Sequence, residues 1–352
     1  MNRKEQKKYI EQLKKNPLIN MNAKYYRTNT KWHQTRLHFL FGQGGVGDYI
    51  NWIPAFEWLI KENPHIKGFI YVPDSFYEFF NYAINQVCQN HKWDILKSTE
   101  FKSKLKTGDG VVNINDFKLF INATGSHLMD FGFMVYCCLQ SPPKEYNRLP
   151  VITYSDKESH QMLNEIGDKP YAVFTPGATS KVRTMPAKAF NTLVEYVSSK
   201  GVTPVFLGRN DFAQSKTYFA TFDKDYDFTK GVSLLNRTSL LQANHIISNA
   251  KFVLGLDNGL LHLAGTTKTP ILFGHTITDV HHRDIRRLEG KTINITVKQE
   301  LLKCIGCQSH MRYIIGHKFV NCVYNDNICL EYLFSNDCET WKQAIDIVLG
   351  ET

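Results

Sequence analysis

Three loops of this 352-residue chain carry residue types that could do chemistry. The first, Gly42-Gln-Gly44-Gly45-Val-Gly47-Asp48, satisfies G-x-G-x-x-G between a strand-like and a helical run. Asp48 puts a carboxylate at the start of that helix, where a dinucleotide pyrophosphate would sit, and two anions there repel. It reads either as a helix cap or as a base that takes a proton from an acceptor hydroxyl. The second loop starts at Thr175 and Gly177 and leads to two cations, Lys181 and Arg183, just before Pro186. The cations suit a diphosphate, or are simply solvated. The third is Gly255-Leu-Asp257-Asn258-Gly259-Leu260-Leu-His262. Amides of Asn258, Gly259 and Leu260 at a helix start would cradle an anion, and Gly259 lets a phosphate approach the backbone. His262, one turn on, either faces that ligand or packs as a structural histidine.

The elements that must position these loops alternate strand and helix, the pattern of parallel α/β construction. Strands are expected at 37–41, 68–72, about 111–124, 171–178, 203–208, 251–256 and 269–274. Helices are expected from about Asp48 to Lys61, along 75–88, after Pro186, from the Ser239-x-x-Gln242 capping box, over Asn258–Gly265 and at Glu339–Leu349. The prolines at 142, 143 and 150 interrupt the pattern. The chain therefore reads as an arm (1–36), two Rossmann-like domains (37–150 and 151–300) and a Cys-rich tail with a terminal helix (301–352). Sites in such sheets lie at the carboxyl ends of strands, here expected in a cleft between the halves.

Composition bounds the rest. With 43% hydrophobic and 21% charged residues, the chain is neither disordered nor coiled-coil. No apolar run approaches the roughly 18–20 residues of a membrane helix, and the amino-terminal segment lacks an apolar signal core, so a cytoplasmic protein is expected. The formal charge of +9 is concentrated: residues 1–36 hold ten Lys/Arg against Glu5 and Glu11. This arm is either a solvated terminus or an attachment to an anionic membrane surface, acidic glycan or nucleic acid.

Five of the eight cysteines, Cys304, Cys307, Cys322, Cys329 and Cys338, lie near the carboxy terminus. The first four give C-x2-C-x14-C-x6-C, open to three readings: a structural zinc site, in which His310 or His317 could replace a thiolate, reduced packing cysteines, or a disulfide.

Taken together, the loops resemble the heptosyltransferases, glycosyltransferase family 9. The resemblance rests on Gly47-Asp48 followed by Pro54-Ala55, on Arg183 before Pro186, and on Lys251-Phe-Val leading to Asp257-Asn-Gly259-Leu-Leu-His262. Two departures stand out: Asn258 replaces the usual Ser/Thr, and Gly274-His275-Thr276-Ile-Thr278-Asp279 lacks the usual proline. The resemblance implies a GT-B fold, two Rossmann-like domains facing across a cleft. It also implies inverting, metal-independent transfer from a nucleoside-diphosphate sugar to a lipopolysaccharide or other surface glycan. By the same resemblance Asp48 is the base, beside the acceptor-side loop Gly44, Gly45 and Gly47. Thr175, Gly177, Lys181, Arg183, Asp257, Asn258, Gly259, Leu260 and His262 bind the donor, and catalysis requires no cofactor. Transfer to modified DNA bases and NAD-dependent oxidoreduction are the alternatives.

Overall fold

The computed structural model describes residues 36–40, 45–64, 66–106, 109–113, 127–137, 142–209, 225–307, 322 and 326–351. The basic arm up to residue 35, Gly42, Gly44, most of the expected 111–124 strand region, His310 and His317 lie outside them. The chain divides into two compact units between Arg148 and Leu149.

The amino-terminal unit holds β1 (Leu37–Leu40), α1 (Val46–Glu62), β2 (Gly68–Val72), α2 (Tyr77–Val87), β3 (Asp94–Lys97), α3 (Phe101–Lys104), β4 (Gly110–Asn113) and α4 (Leu128–Tyr136). All its strand pairs are parallel, in the order β3-β2-β1-β4. Chain order reverses between β1 and β4, so the carboxyl end of β1 sits at a topological switch point. Helix α1 buries Tyr49, Ile50, Trp52, Ile53, Phe56, Leu59 and Ile60. It meets α4 at Gly132, where an added Cβ would come within 2.7 Å of the Trp52 ring.

The carboxy-terminal unit holds α5 (Lys157–Ile166), β5 (Tyr171–Thr175), α6 (Ala187–Ser199), β6 (Thr203–Phe206), β7 (Val232–Ser233), α7 (Leu240–Ser248) and β8 (Phe252–Leu256). It continues with α8 (Gly259–Ala264), β9 (Ile271–Gly274), α9 (Val280–Arg283), β10 (Thr292–Ile295), α10 (Ile328–Leu333) and α11 (Ser335–Leu349). The six strands are parallel, ordered β10-β9-β8-β5-β6-β7. Read from the other edge this is the Rossmann order, and its switch point falls between β5 and β8. Both of those strands are buried at every position, as a sheet covered on two faces requires.

Sequence signals account for much of this unit. In α6 the apolar face Ala189, Phe190, Leu193, Val194 and Val197 is buried. The expected capping box at α7 forms: the Gln242 amide donates to Ser239 Oγ at 3.2 Å, and the Ser239 amide to Gln242 Oε1 at 2.9 Å. In α11, residues 336–338 adopt left-handed backbone angles, so regular helix begins at Glu339. Its Trp341 is fully buried, donates to the Leu333 carbonyl and lies so close to Gly274 that a Cβ there would come within 2.7 Å.

Candidate active site

In the amino-terminal unit, Gly45 is the N-cap of α1 and Asp48 stands three residues in. Gly45 has no side chain to cap with, so Asp48 reaches back: its Oδ2 accepts the Gly45 amide at 2.8 Å. A carboxylate there is favoured by the helix dipole and satisfies an amide that the helix leaves unmated. Asp48 is half-buried and Gly47 buried. The expected helix thus forms with Asp48 at its third position and Pro54 inside it.

In the carboxy-terminal unit, the loops after β5, β8 and β9 converge at the switch point. Register pairs Gly255 of β8 with Thr175 of β5, and a Cβ on Gly255 would fall 2.2 Å from Thr175 Oγ1. Glycine there lets the two strand ends close up. Asn258 then ties them together: its Nδ2 donates to the Thr175 carbonyl at 2.8 Å and to Oγ1 at 3.1 Å. Its Oδ1 accepts the amides of Leu260 and Leu261 at 3.0 and 3.1 Å. This corrects the sequence-based picture of the α8 start. Leu260 does not offer its amide outward, because Asn258 caps it, and the carboxamide NH2 of Asn258 faces β5 rather than a ligand.

Asp257, only 2% exposed, is the electrostatic centre. Its Oδ1 accepts from His262 Nε2 at 3.2 Å, and its Oδ2 accepts from the Thr278 hydroxyl at 3.0 Å and Arg183 Nη1 at 3.4 Å. Burial alone would raise this carboxyl's pKa. The His262 bond and the charges of Arg283 and Arg183 outweigh it and hold the group well below the ordinary carboxylate range. Asp257 is therefore ionised inside the protein, with His262 Nε2 against one of its oxygens. His262 is itself buried, edge-on to Phe273, so it orients Asp257 instead of projecting outward.

Arg183 sits in a short 3-10 turn, Lys181–Arg183. Its guanidinium also donates to the Asp257 carbonyl at 3.3 Å and Thr179 Oγ1 at 2.7 Å. Lys181 is exposed and Gly177 half-buried. Thr278 and Arg283 carry no motif of their own; the signal available for Thr278 was its place just past a strand end, in the loop that departs from the usual proline pattern.

The tail cysteines pack against one hydrophobic core: Cys307 and Cys329 are part of it, and Cys304 and Cys322 lie against it. Burial first, then the neighbouring Cys322, Cys307 and Cys304, push the Cys329 thiol up to about 12. The cysteines described are free thiols. Among the described residues no group of three or more His, Cys, Asp or Glu is arranged to hold a metal ion. Cys304, Cys307, Cys322 and Cys329 are thus neighbours in and against that core, and His310 and His317 lie outside the described residues.

A family model for glycosyltransferase family 9 (heptosyltransferase) matches residues 135–312, half of the chain. Among solved structures, the family 9 glycosyl transferase of Veillonella parvula is similar at 14% identity and TM-score 0.60, over 92% of this chain and 99% of that one. The iron-containing dodecameric glycosyltransferase TibC of enterotoxigenic Escherichia coli is similar at 12% identity and TM-score 0.63, over 90% and 76%. The E. coli ADP-heptose lipopolysaccharide heptosyltransferase II is similar at 16% identity and TM-score 0.58, over 90% and 99%. Identities this low establish a shared fold and nothing finer. No curated protein matches the chain. The chain belongs to glycosyltransferase family 9, and is a glycosyltransferase. The oxidoreductase reading of the glycine-rich turn falls with that assignment. Among the described residues no helix is long and apolar enough to cross a membrane.

Proposed function

We propose that this protein moves a sugar, with inversion, from a nucleoside-diphosphate sugar to a hydroxyl of a lipopolysaccharide or other surface glycan. The observation that carries the donor half is the cluster at the β5/β8 switch point. There Thr175, Asn258, Asp257 and Arg183 are locked together where an open α/β sheet takes its ligand. Arg183 and Lys181 offset the charge that builds on the departing diphosphate, with the Gly259 backbone beside them. Asp257 keeps Arg183 in place and is itself kept ionised by the His262 bond and the charges of Arg283 and Arg183.

Asp48 is the base. As the acceptor oxygen bonds to the anomeric carbon, its proton passes to the Asp48 carboxylate, and the carbon–oxygen bond to the diphosphate breaks with its electron pair leaving on the nucleotide. An ordinary carboxylate suffices, because the hydroxyl becomes acidic only as the new bond forms. The Gly45 amide fixes one carboxylate oxygen, which orients the group at the helix start. The arm, at residues 1–36, supplies attraction to an anionic membrane surface on the cytoplasmic side. These steps use the protein's own groups. Zinc or iron at the four-thiol tail would be structural; the similar TibC is an iron-containing enzyme.

A thermal-shift screen against ADP-, UDP-, GDP- and CDP-sugars tests the donor half. At 100 times Kd the bound sugar nucleotide adds about 2.7 kcal/mol of stability. Asp48→Asn is expected to lower turnover by about 10²–10⁴-fold with donor binding retained. Full turnover in that variant removes Asp48 as the base.

A further inference from the structure

We propose that Thr276 is a positioning residue of the donor site, the strut through which the Cys304–Cys307 turn holds the Lys181–Arg183 turn in place; this rests on the donor reading above. Thr276 lies in the loop after β9 and is 1% exposed. Its hydroxyl donates to the Val182 carbonyl at 2.9 Å, and its own carbonyl accepts the Gly306 amide at 2.9 Å. One residue thus joins the cation-bearing turn to the Cys-bearing tail.

The donor turn needs that support. Inside it the Arg183 amide goes to the Ser180 carbonyl at 3.1 Å and the Thr184 amide to the Lys181 carbonyl at 3.0 Å. The next amide in the series, that of Met185, turns away to the Pro176 carbonyl at 2.9 Å. The carbonyl of the fully buried Val182 is therefore left to Thr276, and a buried carbonyl that loses its donor is costly. Arg183 follows directly. Its bonds to Asp257, at 3.3 and 3.4 Å, are already long, so a small shift of the turn breaks them.

Thr276 is itself held on every side. Before it, the His275 amide donates to the Ile295 carbonyl at 2.8 Å, and His275 Nε2 lies 2.8 Å from Asn294 Oδ1. After it, Thr278 donates to Asp257 Oδ2 at 3.0 Å. Behind it, Gly306 has φ +69°, the left-handed backbone that glycine adopts without strain. The Ile305 amide closes that turn onto the Leu302 carbonyl at 3.0 Å. Val182, Ile277, Leu302 and Cys307 share one hydrophobic core, so the tail turn, the strut and the donor turn form one packed stack. A displacement of the tail turn is passed to Arg183 because the residue between them cannot absorb it.

The test is calorimetric titration of the full chain with ADP, GDP, UDP and CDP, then of variants with the diphosphate that binds tightest. Thr276→Val keeps the side chain's shape without the hydroxyl and is expected to weaken that diphosphate roughly five- to fifty-fold. Thr276→Ser restores the hydroxyl and is expected within about threefold of wild type. Gly306→Val forces the tail turn out of its left-handed backbone and is expected to weaken the diphosphate in the wild-type background, but by less than about twofold once Thr276 is Val. Affinity within about twofold of wild type in Thr276→Val overturns the positioning role, even if its melting temperature falls. Thr276→Ser as weak as Thr276→Val does the same, since packing and not the hydroxyl then matters. Full additivity of Gly306→Val and Thr276→Val overturns the coupling to the tail; if Thr276→Val does not fold, unchanged affinity in Gly306→Val alone does so. Should wild type bind none of the four diphosphates, the donor reading itself fails, an outcome distinct from these.

Discussion

Replacing Asn258 by alanine removes the side chain that joins β5, β8 and α8. Four hydrogen bonds are lost, two accepted from Leu260 and Leu261 and two donated to Thr175. The lost helix cap costs about 1 kcal/mol. The Thr175 carbonyl and hydroxyl belong to a residue 1% exposed, where water cannot easily replace the lost donor. Leaving the carbonyl short of its partner adds about 1–3 kcal/mol. A total near 2–4 kcal/mol follows, or about 5–15 °C in the melting temperature of a unit of this size. The assay is differential scanning calorimetry, with the transition of the carboxy-terminal unit followed separately because two units need not melt together. Asn258→Asp provides the control: it keeps the cap acceptor, loses both donors and sets a second carboxylate beside Asp257, so it is expected to be at least as destabilising as alanine. Should Asn258→Ala melt within about 1 °C of wild type, the bridge contributes no measurable stability and the account of the switch point is wrong.

Stability is expected to fall as pH drops below about 6.5. Burial holds His38, His91, His245 and His275 below the ordinary imidazole value, so the unfolded chain binds protons there before the folded one does. Below about pH 4 the depressed carboxyls of Asp257, Asp109 and Asp156 continue the loss, which for Asp156 is complete only as pH falls to about 2. Urea midpoints at pH 7.5 and 5.5 check the sign, and a midpoint no lower at 5.5 contradicts it. For the tail, elemental analysis of the purified chain decides between the two readings: about one zinc or iron per chain, lost in Cys304→Ser/Cys307→Ser, marks a structural metal site, and a metal-free wild type leaves these as packing cysteines.

The parallel alternation, the α6 face and the α7 capping box were legible because each is a local pattern: a period, or two residues three apart. Local patterns also located the ends of β5 and β8, and with them the loops that could carry chemistry. What they could not give is partnership. Nothing in Asp257-Asn-Gly shows that Asn258 will use its carboxamide on both sides, capping α8 with its oxygen and holding β5 with its nitrogen, because Thr175 is 83 residues away in sequence. A Ser at this position would have the oxygen without the nitrogen, so the family's usual residue and the one found here are not equivalent for the fold.

The same distance in sequence explains why His262 and Arg183 are bound into one network that no single motif contains. A buried aspartate next to a helix start is costly unless several donors meet it. Here they arrive from α8, from the Lys181–Arg183 turn and from the loop after β9. The carboxylate therefore serves as the fixed point on which three loops are aligned, and it follows that changing it should misplace all three together. Asp257→Asn could still accept from Thr278 and Arg183, but it removes the charge that holds the guanidinium. Loss of donor affinity in that variant, with Asp48 untouched, would separate the organisation of the donor loops from the chemistry of the base.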